Sequence, residues 1–314
     1  MRVRPPPAAQ MNKPKVLVIV GPTASGKTSL AITLAQKFDG EVISADSRQV
    51  YKRLDIGTAK ATVEEMAGVS HHLIDVVDID TPYSVTEFKS DANVAITRIL
   101  NRDKLPIIAG GTFFYVDALL GKSPISEIPP NPELRSELEA KNKEDLFAAL
   151  EKLDPRRAAE IDPNNKRRLV RALEIIAAIG AVPKKEQTTS PYRVLTIGVK
   201  TDKEELRERF KSRAEDWLKN GFKEEVEKLL ADDVSRERIQ EIGFEYTLMQ
   251  EFIDGQIDRD DFTQKFIEKN WQYAKRQLMW LKRDSSIMWF DRTDSDAIFE
   301  KVQLFLADWL KPVF

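Results

Sequence analysis

The chain has 314 residues, 42% of them hydrophobic and 32% charged, with a net charge of −2 and no cysteine. That balance fits one large α/β domain or a core with an insertion, and it excludes a disulfide framework, thiolate chemistry and nucleic-acid binding through a global positive field. No run approaches a membrane span and residues 1–12 lack the apolar stretch of a secretory signal, so a soluble cytoplasmic protein with a short flexible tail is expected.

Residues 16–20, Val-Leu-Val-Ile-Val, read as a buried parallel strand. They feed Gly21-Pro22-Thr23-Ala24-Ser25-Gly26-Lys27-Thr28, the spacing G-x-x-x-x-G-K-T, and a helix continues from Ser29. Strand, loop and helix in that order are the context a P-loop requires. Its glycines let backbone N–H groups face phosphate oxygens, Lys27 adds a full charge, and Thr28 offers a hydroxyl to Mg²⁺. This loop is expected to bind phosphates.

Residues 41–45 predict a second strand, ending in Asp46-Ser47-Arg48-Gln49-Val50-Tyr51, where α/β sheets keep their ligand crevice. A loop with Asp55-Ile56-Gly57-Thr58-Ala59-Lys60 follows, then a helix over 62–67 and a third strand over 71–77. His71 and His72 would point to opposite faces, which suits structural histidines better than a metal pair. Ser84-x-x-Glu87 is a capping box. Residues 105–109 predict a fourth strand, and Gly110-Gly111-Thr112 beyond it suggests close approach of backbone to a ligand, or a tight turn.

From Lys122 the pattern turns helical and punctuated by proline. Asp154-Pro155 and Asp162-Pro163 read as helix starts, the second helix ending at Gly180. Strand character returns over 193–199. Thr201-x-x-Glu204 predicts a cap for a helix carrying Arg209 and Arg213, Gly221 ends that helix, and another begins at Phe222. Ile242-Gly243-Phe244-Glu245 breaks the pattern before a long helix over 261–283. A short strand over 287–290 and a helix over 296–310 close the chain. The expected fold is α/β: a P-loop NTPase-like parallel sheet flanked by helices, with a helical insertion over 122–192 and the core formed by 13–121 and 193–314.

A P-loop alone leaves kinase, NTPase, GTPase and group transferase open. No Asn-Lys-x-Asp segment reads guanine, and the strand over 105–109 ends in glycines where a Walker-B acid often stands. The acid at a strand end is Asp46, which could be a Mg²⁺ ligand, a general base or a turn cap; Ser47 and Gln49 beside it are suited to reading a base edge. Two basic helix faces raise the question of nucleic acid. Arg167, Arg168 and Arg171 form one. Lys275, Arg276, Lys282 and Arg283 form the other, among Trp271, Tyr273 and Trp280.

These residues together resemble the tRNA dimethylallyltransferases. The matching pieces run in order from the loop 21–28 through Asp46-Ser47-Arg48-Gln49-Val50-Tyr51, Asp55-Ile56-Gly57-Thr58-Ala59-Lys60, His71-His72-Leu73-Ile74-Asp75, Gly110-Gly111-Thr112, Arg168-x-x-Arg171-Ala172-Leu173-Glu174 and Gly221-Phe222-x-x-Glu225-Val226 to Lys275-Arg276-Gln277-x-x-Trp280. The resemblance implies prenylation of the N6 amine of adenosine 37 in tRNAs reading codons that begin with U. Its donor would be dimethylallyl diphosphate and its acceptor an anticodon stem-loop with adenosines 36 to 38. A monomer with Mg²⁺ as cofactor and no membrane partner is expected. Asp46 would be the general base, with Thr23 and Thr112 near the reacting centre. The loop residues Gly21, Pro22, Thr23, Ala24, Ser25, Gly26, Lys27 and Thr28, with Arg209 and Arg213, would hold the diphosphate, Thr28 meeting the metal. Asp46, Ser47, Arg48, Gln49, Thr112, Arg167, Arg168, Arg171, Gly243, Phe244, Lys275, Arg276, Gln277 and Trp280 would touch tRNA. The chain departs from the family pattern at Arg48, where many relatives carry Met or Ala, at Glu245, often basic or polar in relatives, and in the setting of Trp271. With no cysteine for a zinc finger, the bacterial type is implied.

Overall fold

The computed structural model describes residues 13–123, 125–126, 128–184 and 189–307; the tail expected at 1–12 and the last residues of the closing helix lie outside them. In chain order the elements are β1 (Lys15–Val20), α1 (Lys27–Lys37), β2 (Gly40–Ser44), α2 (Val63–Met66), β3 (His71–His72), α3 (Val85–Leu100), β4 (Leu105–Ala109) and α4 (Phe113–Leu119). Four helices follow: α5 (Pro132–Glu139), α6 (Lys143–Leu153), α7 (Pro155–Glu160) and α8 (Lys166–Ile179). Then come β5 (Arg193–Lys200), α9 (Lys203–Lys219), α10 (Phe222–Ala231), α11 (Arg236–Ile242), α12 (Phe244–Ile253), α13 (Arg259–Leu281), β6 (Met288–Asp291) and α14 (Ser295–Leu306). The chain divides into two compact units, Met1–Lys122 with Thr189–Phe314, and Ser123–Thr188.

The first unit is built on a six-stranded sheet of order β3-β2-β4-β1-β5-β6, every pairing parallel. Because a parallel sheet is covered on both faces, β1, β2 and β4 are buried along their whole length. The period of two sends Val16 and Val18 towards Phe88, Ile96 and Val116, and sends Leu17 and Ile19 towards Leu30, Leu34, Ile298 and Val302. A further apolar cluster joins α9, α10, α12 and α13 through Phe210, Phe222, Tyr246, Phe262 and Phe266, and takes in Val50, Tyr51 and Leu54 from the segment after β2. That packing brings helices late in sequence to the loops at the carboxyl end of the sheet. Among the described residues no helix is long and apolar enough to cross a membrane.

The second unit closes its own core of Leu146, Leu150, Leu169, Leu173 and Ile176. Inside it the Glu174 carboxylate accepts from Arg135 at 2.6 Å, from Arg171 at 3.4 Å and from the Asn131 N–H at 3.2 Å. A buried carboxylate without such donors would be strongly unfavourable.

Local expectations fail where a neighbour makes a better hydrogen bond. Asp202, one residue past Thr201, caps α9 by accepting from the Glu205 N–H at 2.7 Å. Asn165 caps α8, while Asp162-Pro163 only makes a turn before it. The third strand stops after two residues, because Leu73 and Asp75 take left-handed backbone at φ 61° and 55°. His72 meets Glu41 at 2.7 Å and His71 meets the Val69 carbonyl at 2.9 Å, both structural bonds.

Candidate active site

The strands β1, β4 and β2 end level with one another: Ile19 is opposite Ala109, and Ala109 opposite Ser44. Three loops therefore leave the sheet side by side, carrying the glycine loop 21–28, the Asp46 turn and Gly110-Gly111-Thr112. The Ala45 N–H donates to the Ala109 carbonyl at 2.8 Å, and the Thr112 N–H to the Ala45 carbonyl at 3.1 Å. Gly110 makes that stitching feasible, since a Cβ there would stand 2.1 Å from the Ala45 oxygen. The close approach suggested by the double glycine is thus, at Gly110, an approach to the neighbouring chain.

Asp46 is half-buried, and its Oδ1 accepts the Arg48 N–H at 2.9 Å. That bond orients the carboxylate within its turn. Thr112 braces the same turn: its Oγ1 accepts the Ser47 N–H at 3.0 Å and donates to Ser47 Oγ at 3.3 Å. Gln49 is held within the protein, its Oε1 accepting from Ser44 at 2.8 Å and its Nε2 donating to the Thr58 and Ala59 carbonyls at 3.2 Å each.

Gly26 stands at φ 88° at the N-terminus of α1 and caps it with no side chain. The first-turn N–H groups of a helix lack intrahelical partners and are matched to anions. Lys27 folds back to donate to the Pro22 carbonyl at 3.2 Å. Burial pushes its ammonium down to about 8, aided by Arg213 and opposed by the nearby Asp46 charge. From α9, Arg209 donates to the Ala24 carbonyl at 2.7 Å and Arg213 reaches Thr23 Oγ1 at 3.5 Å. Burial lowers the Arg213 pKa from its ordinary value, with Glu245 acting in the opposite sense. Ser25 Oγ is buried in the loop with no hydrogen-bond partner among the described residues.

Gln277 belongs to this cluster. On α13 and 4% exposed, its Oε1 accepts the Thr23 N–H at 2.8 Å and its Nε2 donates to the Gly111 carbonyl at 3.0 Å. Spacing within the Lys-Arg-Gln segment places it on a basic helix; the fold turns it inwards. Trp280 likewise faces the protein, donating from Nε1 to Asp117 at 2.7 Å, and Phe244 packs against the helical core.

Arg48 and Glu245 meet at 2.5 Å, so the two departures from the family pattern form a single contact. Burial opposes charge on Arg48, but Glu245 and Asp46 outweigh it and raise the guanidinium pKa above its usual value. Gly243 lies against this pair.

Sequence reasoning assigns no role to Glu225, yet it organises the site's flank. Its carboxylate accepts the N–H groups of Asp55, Ile56 and Gly57 at 2.9, 2.7 and 3.1 Å, and the Tyr246 hydroxyl at 2.8 Å. Lys60 closes the other end of that loop on the Tyr51 carbonyl, Asp55 and Asp75 at 2.7, 2.8 and 2.5 Å. The signal available in the sequence was the pairing of two motifs that share no chemistry when read separately.

The basic faces differ in what is left outward. Lys275 and Arg276 are exposed, stacked near Trp271 and Tyr273 at 5.8 Å each, and Arg283 near Trp280 at 5.5 Å. In the second unit Arg167 and Arg168 are exposed, whereas Arg171 donates to the Ile128 carbonyl at 2.5 Å as well as to Glu174.

For a divalent ion, the described residues hold no cluster of three acidic or histidine ligands. The donors present, an exposed Thr28 hydroxyl beside an anion-matched helix start, suit Mg²⁺ that arrives coordinated by phosphate and water rather than an all-protein cage.

A family model described as IPP transferase matches residues 49–284. Over 290 residues the chain is 42% identical to a tRNA dimethylallyltransferase of Thermomicrobium roseum, spanning 90% of this chain and 88% of that protein. Among solved structures it is similar to the full-length tRNA isopentenylpyrophosphate transferase of Bacillus halodurans, with 38% identity, a TM-score of 0.69, and 94% and 96% of the two chains covered. A eukaryotic dimethylallyltransferase acting on tRNA superposes with a TM-score of 0.79 at 29% identity, covering 95% of this chain and 79% of that one.

Proposed function

This chain belongs to the IPP transferase family, and on that premise we propose that it transfers a dimethylallyl group from dimethylallyl diphosphate to the N6 amine of adenosine 37 in tRNAs reading codons that begin with U. The observation that carries the reading is the placing of Asp46, an acid with one oxygen oriented by its own turn, within the electrostatic reach of Lys27 on the glycine loop. An anion-matched loop with a carboxylate within its electrostatic reach suits an alkyl transfer with a diphosphate leaving group.

In this reading the N6 nitrogen attacks the first carbon of the prenyl chain, the carbon–oxygen bond breaks, and the diphosphate leaves with the electron pair. Asp46 takes the proton that the amine loses. Lys27, the uncapped N–H groups of α1, Arg209 and Arg213 stabilise the charge developing on the leaving group. Thr23 and Thr112 border the reacting centre, Thr112 by bracing the Asp46 turn. Mg²⁺, held by Thr28 and the diphosphate oxygens, would neutralise further charge when bound. No phosphoryl group moves, which accounts for glycines after β4 where a Walker-B acid would serve hydrolysis. Ser47 and the exposed cations Lys275, Arg276, Arg167 and Arg168 are the tRNA-facing residues of the proposal.

The test is a mass-spectrometric assay of purified protein with Mg²⁺, unmodified tRNA and either dimethylallyl diphosphate or ATP. The expected result is a single prenyl gain on adenosine 37 with the diphosphate alone, abolished by Asp46→Ala. Phosphate transfer or hydrolysis with ATP, and no prenyl gain, would replace the reading with that of a small-molecule kinase.

A further inference from the structure

The Arg48–Glu245 pair poses a question that stability does not answer. Both side chains are largely withdrawn from water, 19% and 4% exposed, and a buried ion pair is seldom a better stabiliser than apolar side chains of similar volume. Its placing is unusual in another respect. Arg48 lies two residues beyond Asp46 in the same turn, with its backbone N–H on Asp46 Oδ1, and its guanidinium feels the Asp46 charge as well as that of Glu245. Two carboxylates thus act on the Arg48 guanidinium, although Lys27 also feels Asp46 and Arg213 also feels Glu245, and only Glu245 is in contact with it. Three features favour that contact. Glu245 stands in the first turn of α12, where the helix dipole favours an anion. Gly243 leaves the path open, since a Cβ there would be 2.7 Å from Arg48 Nη1 and 2.8 Å from Glu245 Oε2. The N–H of Arg48, already engaged by Asp46, sets the direction in which its side chain departs.

We infer that Glu245 is a positioning residue for the transfer reaction: it holds the Arg48 guanidinium off Asp46, leaving a carboxylate oxygen for the acceptor amine. The inference rests on the reading of Asp46 as the general base. Without Glu245 the buried guanidinium still feels the Asp46 charge, and pairing with Asp46 would engage the oxygen that should accept the proton. The defect then comes from Arg48, so removing Arg48 as well should relieve it. A mere brace behaves in the opposite way, because loss of the second partner cannot restore a brace.

The experiment compares wild type, Glu245→Gln, and the double variant Arg48→Met with Glu245→Gln, using prenyl transfer to unmodified tRNA. Glu245→Gln is expected to lower kcat about 100-fold, of the order that loss of a general base costs, with the KM for the diphosphate little changed. The double variant is expected to recover at least about tenfold over the single one, a non-additivity reserved for groups in direct contact. A double variant as slow as Glu245→Gln, or a Glu245→Gln enzyme at the wild-type rate, overturns the inference. Crystal structures of the same variants decide without an assay: in Glu245→Gln the guanidinium should rest on Asp46, and its remaining beside residue 245 overturns the inference. If wild type transfers no prenyl group, the reaction reading fails while this structural arm still decides where Arg48 goes. Should Glu245→Gln not fold, the double variant must fold and transfer; if it too fails to fold, the pair is a brace and the inference falls.

Discussion

Gln277 Oε1 accepts the N–H of Thr23, 254 positions away in sequence, at 2.8 Å, and the same side chain donates to the Gly111 carbonyl. One amide from α13 therefore sets the spacing between the loop after β1 and the loop after β4. Replacing it with alanine strands a buried donor and a buried acceptor at once, at a cost of about 1–3 kcal/mol for each group left unsatisfied. Gln277→Ala should lower the thermal midpoint by several degrees and raise the KM for dimethylallyl diphosphate. A midpoint shift with the KM unchanged would leave Gln277 a stabilising residue with no bearing on the loop's grip.

Gly110→Ala should be far more severe than its small volume suggests. The added methyl would lie 2.1 Å from the Ala45 carbonyl oxygen, a backbone atom that cannot move without breaking the Ala45–Ala109 bond. Overpacking of this kind costs about 1–3 kcal/mol where side chains can adjust, and more where backbone must. Urea unfolding of the variant should show a lowered midpoint; an unchanged midpoint would contradict the tight stitching of β2 to the loop after β4.

Lys27 gives the site a pH limit. With its ammonium pushed down to about 8, chiefly by burial, the charged form that attracts phosphate is complete at pH 6.5 and thins above 8. Binding of a diphosphate above that point must take up a proton, so affinity should fall by up to about tenfold per unit. The sign for stability is the reverse. A depressed lysine pKa penalises folding while the group is charged, and that penalty is relieved as pH rises from about 8 towards the unfolded value. Calorimetric titration of diphosphate from pH 6.5 to 9.5, wild type against Lys27→Met, checks the first; the variant should lose the extra slope.

Glu225→Gln tests the flank. The carboxylate accepts three backbone N–H groups and the Tyr246 hydroxyl, and a carboxamide must turn an N–H₂ towards some of these donors. Hydrogen bonds to a charged group contribute about 1.5–3 kcal/mol each, so a loss of that order in unfolding free energy is expected. Hydrogen exchange should quicken at Asp55, Ile56 and Gly57 before it does in β1. Uniform exchange changes would place the effect elsewhere.

Lys275 and Arg276 are exposed and lean on aromatic rings rather than on carboxylates. If they track an RNA backbone, their joint replacement by alanine should reduce the slope of log affinity against log salt by about 1.4 to 1.8. A weaker complex with the slope preserved would assign them another role.

The motifs were legible because each answers to local geometry. A strand, a glycine loop and a helix in succession can be read within twenty residues, and so can the Ser84 capping box, which forms as its spacing requires. Shared local chemistry is also what misled. Thr201 and Asp202 both offer a capping oxygen, and Asp202 has the better-placed one. Gln277 follows Lys275 and Arg276, and Arg171 lies one turn beyond Arg167 and Arg168, yet Gln277 is turned to Gly111 and Arg171 to Ile128, partners far away in sequence.

By itself the sequence determined the parallel α/β core, the loop 21–28 and the acid at the end of the second strand, because hydrophobic period, glycine and charge act over a few residues. Only the tertiary structure decided that Glu225 would gather three backbone N–H groups, that Gln277 would join two strand-end loops, and that Arg48 would turn from Asp46 to Glu245. Those choices depend on which distant donors and acceptors the packing of α9 to α13 brings within hydrogen-bond distance, and a buried polar group must take the partner that packing supplies.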